Sequence, residues 1–513
     1  MEKEDFISPF KPFAKATLVS TGNRLSVQSQ PVGFRHTSGL ERMLNVFLAR
    51  VREQLDIWDG TSSLSHRDVE DSIVAPLKDI LGFLKEQGLI GSIRQLENRY
   101  NDVPAFFRFN IEPMYRKYST DGGQFVHPHG CVGYGFNKHM EVALSKAIGE
   151  FLERYFLTVY HKSNFVRGSY DFMTKQGYPA ISLDAFAGVS DEQKNDYSHF
   201  RWDPDSIFSW QEMKSVTNQK NFFIPAQYVF WNYLLDGAEP RLVDFTTNGG
   251  GGMFSADEAM LSGLYEIIQR DSFLIHWLNT LSPPKINPAS VSNDMFQVIF
   301  QESRRYGFRI HCLNITADTE VPSFAVVVED PSGSPRFSLG GGCNADPAKA
   351  LCQALEEAWA VYHFLRRKPI YLLPEPYIPF RTTSINRDKR LRLWANPGMA
   401  DKYSFLISGK ETAFSEMNIN FPATFISTRE ELQCLVERVE NLGPGYEVYC
   451  HSVESPILSR LNYHVVKMIV PQMVPLYLNE TRAPLGAPRL KKVPLKLGRP
   501  AAENVNPWPH PFP

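Results

Sequence analysis

The chain has 513 residues, which is enough for a large core and for more than one domain. Its hydrophobic content of 43% is that of an ordinary globular protein, and the net charge of −2 gives no general electrostatic reason to expect nucleic acid or membrane as a partner. No stretch approaches the roughly 20 apolar residues of a membrane helix, and the polar start shows no signal peptide. The six cysteines form no Cys-x-x-Cys, which favours reduced thiols in a cytoplasmic protein.

Residues 1–104 are predicted to form a small N-terminal α/β module. Alternating residues around Thr21-Gly22-Asn23 predict a β-hairpin, and apolar spacing predicts helices over residues 40–55 and 65–87. This combination resembles a winged-helix module, which in peptide-modifying enzymes clamps a leader peptide. A dimerisation or partner-docking module is the alternative.

Residues 105–513 are predicted to form an α+β domain with internal repetition. Strands are expected over 106–109, 126–136, 207–210, 222–225, 242–246, 309–315 and 323–328. Helices are expected over 141–160, 256–278, 295–306 and 347–367. The glycine runs Gly249–Gly252 and Gly340–Gly342 are expected as loops between strand and helix. A strand, a glycine-containing loop and an acidic helix therefore occur three times.

Each of these three helices carries carboxylate or carboxamide groups on a largely apolar background. The groups are Glu150 and Glu153 on the first helix, Glu266 and Gln269 on the second, and Gln353, Glu356 and Glu357 on the third. Residues three apart share a helix face, and carboxylates on a partly buried face repel each other unless a cation compensates. Oxygen ligands suit Mg²⁺, and Arg154 and Arg270 suit phosphate oxygens. The pattern predicts a magnesium nucleotide site, although for a single helix a solvated acidic face is the alternative. No Gly-Lys-Ser/Thr follows the glycine runs, so the site is not a P-loop.

The chain ends in Pro507-Trp508-Pro509-His510-Pro511-Phe512-Pro513. Proline fixes φ and lacks a backbone N–H, so this tail is predicted to be a stiff polyproline II segment that delivers its terminal carboxylate to a defined place. A disordered proline-rich end is the alternative.

Helices and tail together resemble the YcaO family, and most closely its azoline-forming cyclodehydratase branch, whose members typically end in Pro-x-Pro-x-Pro. The matching residues are Ser145, Glu150, Glu153 and Arg154, then Thr247, Asn248, Gly249, Glu258, Ala259, Glu266, Gln269 and Arg270, and finally Ala350, Leu351, Glu357 and Ala358. The resemblance covers roughly residues 105–513 and implies a YcaO-type ATP-binding catalytic domain.

The resemblance implies ATP and Mg²⁺ as cofactors. The expected metal ligands are Glu150, Glu153, Glu258, Glu266, Gln269 and Glu357. Nucleotide contacts are expected from these residues and from Ser145, Arg154, Asn248 and Arg270. The tail is expected beside the site, where the Pro513 carboxylate or the His510 imidazole would act as a base or orienting group.

Three positions depart from the family pattern. Gln269 stands where the family usually has a second glutamate, which puts metal affinity or the number of ions in doubt. Tyr134 stands where many members carry lysine, and Gln353 where an arginine is common. The loss of basic contacts implies weaker ATP binding without a partner, or a different phosphate geometry.

The resemblance implies an enzyme that phosphorylates a backbone amide oxygen and converts Cys, Ser or Thr of a ribosomal precursor peptide into azolines. It also implies a ubiquitin-activating-enzyme-like partner that presents the leader, a flavin-dependent azoline dehydrogenase, and a homodimer within a larger complex. The alternatives are thioamide or amidine formation on the same amide, a catalytically weak scaffold or activator subunit, and modification of a folded protein.

Overall fold

The computed structural model describes residues 75–96, 104–114, 124–125 and 130–512, except for residues 238, 245, 332, 334, 367 and 375. The predicted hairpin around Thr21-Gly22-Asn23, the helix over 40–55 and the first part of the helix over 65–87 lie outside these residues, as does Pro513. The N-terminal module and the role expected of the Pro513 carboxylate therefore remain predictions.

Strands and helices are interspersed along the described chain, which confirms the predicted α+β class. The strands are β1 (Ile90–Gln95), β2 (Phe107–Pro113), β3 (Gln124–Phe125), β4 (Gly133–Asn137), β5 (Tyr160–His161), β6 (Val166–Gly168), β7 (Phe208–Ser215), β8 (Asn221–Pro225), β9 (Gly250–Met253), β10 (Lys285–Ile286), β11 (Arg309–Asn314), β12 (Ser323–Glu329), β13 (Phe337–Cys343), β14 (Glu411–Thr412), β15 (Tyr449–Ser452) and β16 (His464–Ile469). The helices are α1 (Ala75–Glu86), α2 (Met140–Phe156), α3 (Tyr170–Lys175), α4 (Asp191–Asp196), α5 (Ala226–Val229), α6 (Ala256–Leu278), α7 (Asp294–Arg305), α8 (Pro347–Leu365), α9 (Arg387–Trp394), α10 (Ala400–Tyr403), α11 (Thr428–Glu440), α12 (Pro456–Leu461) and α13 (Arg489–Lys496).

Three larger sheets contain most of the strands. Their orders are β1-β2-β4, β13-β12-β11-β10-β14 and β6-β7-β15-β16-β9, with β8 paired to β7. β1 lies in the same sheet as β2 and β4, and Leu81 and Leu84 of α1 enter the core that α2 also lines. The predicted domain boundary near residue 104 therefore falls between two strands of one sheet.

Three strand–helix units, β4–α2, β9–α6 and β13–α8, repeat the same close packing. In each unit a strand glycine lies against a carbonyl oxygen of the following helix. A methyl group on the glycine would lie 1.7 Å from the oxygen of Ala143 at Gly135, 2.0 Å from that of Ala259 at Gly251, and 2.0 Å from that of Ala350 at Gly342. Since no side chain fits there, glycine allows the helix to approach the strand.

The glycine runs, which the sequence predicted as loops, therefore form parts of strands. The prediction of a strand over 242–246 was wrong for the described residues of that segment, because the ladder begins only at Gly250. Residues 250–253 pair with β16, and 340–342 lie within β13 opposite β12. The intrinsic strand preference of glycine is low, but pairing on a neighbouring strand satisfies its backbone groups.

The three units contact one another in a ring, because α2 packs on β9, α6 on β13, and α8 on β4. At equivalent positions, Glu153 of α2 lies against Gly250, and Gln269 of α6 lies against Gly341. A methyl group on Gly250 would be 2.6 Å from Glu153 Oε1, and one on Gly341 would be 2.4 Å from Gln269 Nε2. The ring brings polar side chains of separate helices to its centre.

α6 is the central helix of the molecule, with 23 residues, most of them buried. It packs against β9, β16, β13, α11 and α13. Buried Asp271 near its C-terminal half forms a bidentate ion pair with Arg489 of α13, at 2.6 and 2.7 Å. Of the helices in the part of the chain that the structure describes, none combines the length and the apolar character needed to cross a membrane.

Candidate functional site

One glutamate of each repeated helix accepts a hydrogen bond from the backbone of its own unit. The donor and acceptor pairs are Tyr134 N and Glu150 Oε2 (2.5 Å), Gly249 N and Glu266 Oε2 (2.6 Å), and Gly341 N and Glu357 Oε2 (2.6 Å). A charge-assisted bond of this kind fixes the carboxylate against the glycine-rich strand. Three of the predicted ligands thus occupy equivalent places in the ring.

Two of these glutamates also pair with an arginine one turn later on the same helix. Arg154 Nη2 lies 2.6 Å from Glu150 Oε1, and Arg270 Nη2 lies 2.8 Å from Glu266 Oε1. α8 has Val361 at the equivalent position, so its glutamate has no arginine on its own helix. The guanidinium groups are therefore held by their glutamates at the edge of the acidic cluster, where they are available to an anion.

Glu153 is the least compensated carboxylate of the cluster. Burial, followed by the charges of Glu266 and Glu150, raises the pKa of Glu153 to about 8, although Arg154 and Arg270 oppose the rise. Glu153 has no hydrogen bond or ion pair with the other residues described by the structure. Carboxylates of α2 and α6 thus repel each other across the ring, and a bound cation would relieve that repulsion.

The donor set fits Mg²⁺ held together with a polyphosphate. Among the described residues, no group of three or more His, Cys, Asp or Glu side chains is arranged to hold a metal by itself. Mg²⁺ does not need such a cage, because it usually takes one or two carboxylates and completes its shell with water and phosphate oxygens. The raised pKa of Glu153, caused by burial and then by the charges of Glu266 and Glu150, favours a cation here, because a bound cation could take the place of the proton. Gln269, whose side chain lies against Gly341, stays a predicted ligand.

Lys467 is a buried site residue that the sequence analysis missed. It lies on β16 with 3% of its surface exposed, and its Nζ donates to the carbonyl oxygens of Asn248 (2.5 Å) and Thr246 (3.2 Å). Burial lowers the pKa of Lys467 to about 8, although Glu266 opposes the change. The available signal was one lysine inside the apolar run 465–470. Lys467 holds the loop that leads into β9 next to the carboxylates.

Two of the remaining predicted ligands lie on exposed parts of their helices. Ser145 is exposed on α2, and Glu258 is exposed in the first turn of α6. Glu258 Oε2 accepts a hydrogen bond from Ser255 Oγ (3.0 Å), and Ser255 Oγ in turn accepts from Glu258 N, so both residues cap the helix. Asn248 Oδ1 accepts from Arg270 Nη1 at 3.3 Å, which joins the loop before β9 to the charged cluster.

The proline-rich tail is docked on the protein next to the ring. Indole N–H groups of Trp277 and Trp394 donate to the carbonyl oxygens of Trp508 (3.1 Å) and Pro509 (2.9 Å). Proline supplies no N–H of its own, so the carbonyls are the groups by which such a tail can be held.

The end of the tail reaches the ring through Phe512. Its ring packs at a tilted angle against that of Phe273, with 4.7 Å between the ring centroids, and a methyl group on Gly341 would lie 2.6 Å from it. Phe512 is 2% exposed. The last described residue therefore touches the strand whose amide holds Glu357.

His510 is wholly buried within this docked tail. Its Nε2 lies 2.8 Å from the carbonyl oxygen of Tyr477 and 2.9 Å from Arg390 Nη1. Burial and the neighbouring Arg390 charge lower the pKa of His510 well below its usual value, so the ring is neutral. These contacts make His510 an anchor of the tail, and its action as a base stays a prediction.

Comparison with known proteins was consistent with these features. A family model described as YcaO cyclodehydratase, ATP- and Mg²⁺-binding, matches residues 133–474. An uncharacterized protein in the tfuA 3′ region of Rhizobium leguminosarum bv. trifolii is 28% identical over 30% of this chain and 40% of its own length. An uncharacterized protein of Methanothermobacter thermautotrophicus is 26% identical over 36% of this chain and 53% of its own length. The chain thus spans about half the length of the curated relatives it matches or less.

Similar solved structures share the fold at low sequence identity. A heterocyclase in complex with substrate and cofactor has a TM-score of 0.65 at 19% identity, and the match covers 88% of this chain and 58% of that one. The heterocyclase TruD has a TM-score of 0.57 at 22% identity, with coverage of 73% and 51%. A YcaO protein from Methanopyrus kandleri bound with AMPPCP and Mg²⁺ has a TM-score of 0.54 at 19% identity, with coverage of 78% and 90%.

Proposed function

Because the chain belongs to the YcaO family, whose members bind ATP and Mg²⁺, we propose that it is a cyclodehydratase that converts Cys, Ser or Thr of a ribosomal precursor peptide into azolines. The observation that carries the proposal is the ring of three glutamates fixed by backbone amides, together with the incompletely compensated Glu153 and the docked tail at the edge of the ring.

The difficulty of the reaction lies in the amide, which is a poor electrophile with a poor leaving group. A side-chain thiol or hydroxyl of the substrate adds to the preceding carbonyl and loses its proton, and the former carbonyl oxygen must then depart. ATP supplies the phosphoryl group with which this oxygen leaves as phosphate. The protein's part is to hold nucleophile, carbonyl and triphosphate together and to balance the developing charge.

The described residues divide this work by charge. Glu150, Glu153 and Glu266 would hold Mg²⁺, while Arg154 and Arg270 would contact phosphate oxygens. The arginines are preoriented because each is paired to a glutamate of its own helix, so little freedom is lost when an anion binds. The remaining predicted ligands, Ser145, Asn248, Glu258, Gln269 and Glu357, complete the nucleotide site.

The proton acceptor is proposed to come from the tail. Phe512, the last described residue, lies against Gly341, whose amide donates to Glu357, and this contact supports a place for the tail beside the ring. The carboxylate of Pro513 is the proposed base or orienting group, with His510 as the second candidate. Because His510 is buried and held by Tyr477, its contribution is proposed to be the placement of the terminus.

A peptide substrate and a multi-subunit complex are supported by the similar structures. One is a heterocyclase in complex with substrate and cofactor, and another is the E. coli microcin synthetase McbBCD complex, with a TM-score of 0.50 at 14% identity. For this chain we propose a ubiquitin-activating-enzyme-like partner, a flavin-dependent dehydrogenase and a homodimeric arrangement. The N-terminal module is the proposed contact for leader or partner.

The test is incubation of the purified protein with Mg-ATP, its partner and a Cys/Ser/Thr-rich peptide encoded nearby, followed by mass spectrometry. Loss of one water per modified residue, together with phosphate release, is the expected result. A gain of sulfur in place of oxygen would indicate thioamide formation, and addition of an amine with loss of water would indicate an amidine. If no ATP is consumed with every component present, the chain is a scaffold. Glu150→Gln is the inactive control, and Glu141→Gln, an exposed change on the same helix, is the matched control.

A further inference from the structure

Helix α9 follows the docked tail in the opposite direction, with one face turned towards it. Trp394 Nε1 donates to the carbonyl oxygen of Pro509, and one turn earlier Arg390 Nη1 lies 2.9 Å from His510 Nε2. Moving towards the N-terminus of α9 therefore means moving towards the end of the tail. Arg387 lies a further three residues back, about 4.5 Å along the axis, and shares this face, because positions seven and three apart on a helix lie together.

Within the part of the chain that the structure describes, Arg387 has no partner that explains its position. Unlike Arg390, which forms a buried ion pair with Glu480 at 2.7 Å, Arg387 forms no hydrogen bond or ion pair with any residue that the structure describes. It is also the first residue of α9, where the helix dipole disfavours a positive charge. A cation that has no partner among the described residues and an unfavourable position on its helix suggests an anion that the protein binds.

The surroundings of Arg387 are those of the acidic ring. Burial raises the pKa of Glu357, while the Gly341 amide, Arg270 and Arg387 oppose the rise. Burial lowers the pKa of the Arg387 guanidinium, and the charge of Arg154 lowers it as well. The charge of Glu150 raises it. Arg387 is thus within electrostatic range of glutamates on two different helices and of both paired arginines.

We propose that Arg387 binds the terminal phosphate of the nucleotide, as a third arginine that the tail-holding helix supplies to the ring. The inference rests on the proposed nucleotide-dependent function and identifies a residue outside the three repeated units. Arg387 would thus supply a basic group to a site in which Tyr134 and Gln353 replace basic residues that are common in the family. Because α9 is held by Pro509 and His510, docking of the tail also positions this phosphate contact.

The test compares the binding of Mg-AMPPCP and Mg-ADP to the full-length protein by titration calorimetry. Arg387→Gln is expected to weaken AMPPCP binding by roughly tenfold or more, since a hydrogen bond to a charged group is lost, and to leave ADP binding within about twofold. Arg387→Lys should recover part of the loss, because it keeps the charge but not the planar fork. Arg392→Gln is the matched control, since Arg392 lies on the other side of α9 and pairs with Asp388 at 3.0 Å.

The melting temperature separates a phosphate contact from a structural role. Removal of a cation from the first helical position should leave the melting temperature of Arg387→Gln unchanged or higher. Unchanged AMPPCP affinity, an equal loss for ADP and AMPPCP, or a lower melting temperature would each overturn the inference. If the unmodified protein binds neither nucleotide, the proposed function fails as well, whereas normal binding that ignores Arg387 refutes only the role of this residue.

Discussion

Glu153→Gln should stabilise the nucleotide-free protein at neutral and alkaline pH. Burial and two neighbouring carboxylates raise the pKa of Glu153 from 4.5 to about 8. The folded state therefore binds this proton more tightly than the unfolded chain, and folding loses stability as the pH rises from 4.5 towards 8. Glutamine keeps the shape of the side chain and removes the charge.

The expected gain can be worked out from this shift. Neutral pH lies 2.5 units above the unfolded pKa of 4.5, and one unit corresponds to about 1.4 kcal/mol, so the gain at pH 7 is on the order of 3 kcal/mol as an upper limit. It should approach its maximum near pH 8 and disappear below about pH 4.5. Urea unfolding at pH 5, 7 and 8.5, roughly spanning this window, measures the change.

The same variant should lose the stabilisation that the ligand provides. Saturating Mg-AMPPCP, at about 100 times its Kd, should stabilise the unmodified protein by about 3 kcal/mol and Glu153→Gln by much less. Glu141→Gln, an exposed change on the same helix, should alter neither quantity. A variant that is destabilised at pH 8, or a stability difference that does not change with pH, would refute the charge-repulsion argument.

The other predictions concern the ring and the tail. Glu266→Gln keeps an acceptor for its backbone partner but no longer holds Arg270 by charge. ATP consumption in a coupled phosphate assay should therefore fall roughly 100-fold, while the far-UV circular dichroism spectrum stays unchanged. Retained ATP turnover would contradict this prediction. Removal of Phe512 and Pro513 should reduce peptide modification at least ~10-fold more than AMPPCP affinity, as measured by mass spectrometry and calorimetry, and equal losses would remove the distinct role of the tail. Gly341→Ala places a methyl group 2.6 Å from the Phe512 ring and also against the Gln269 amide. It should therefore reduce both peptide modification and AMPPCP affinity without unfolding the protein, and wild-type values of both would show that these contacts are not needed.

Most helices of the repeated units could be predicted from local spacing. The helix predicted over 256–278 is formed over Ala256–Leu278, and that predicted over 347–367 is formed over Pro347–Leu365. Amphipathic spacing is a property of a single segment, so no knowledge of partners is needed. The glycine runs were assigned wrongly because a glycine in a strand becomes favourable only when a helix packs too closely for a side chain.

Site residues could be predicted where they belong to a short pattern that recurs along the sequence. They could not be predicted where segments distant in the sequence bring them together. Glu150 and Arg154, four residues apart, could be identified as a pair from the sequence. Lys467 was missed because it stands alone in an apolar segment, and Arg387 because it is one of several basic residues in its segment. Only tertiary structure brings either residue near the ring. The role of His510 likewise depends on Tyr477, 33 residues away.

By itself, the amino-acid sequence determined which side chains are available and on which face of each helix they lie, because residue type and helical period are local. Only the tertiary structure decided that the helices of three units meet in one ring, that a lysine of β16 enters it, and that the proline-rich tail lies at its edge. The physical reason is that charge repulsion, burial and close packing at a glycine depend on atoms from segments more than 100 residues apart along the chain. Gln269 and Phe512, which both lie against Gly341, are an example.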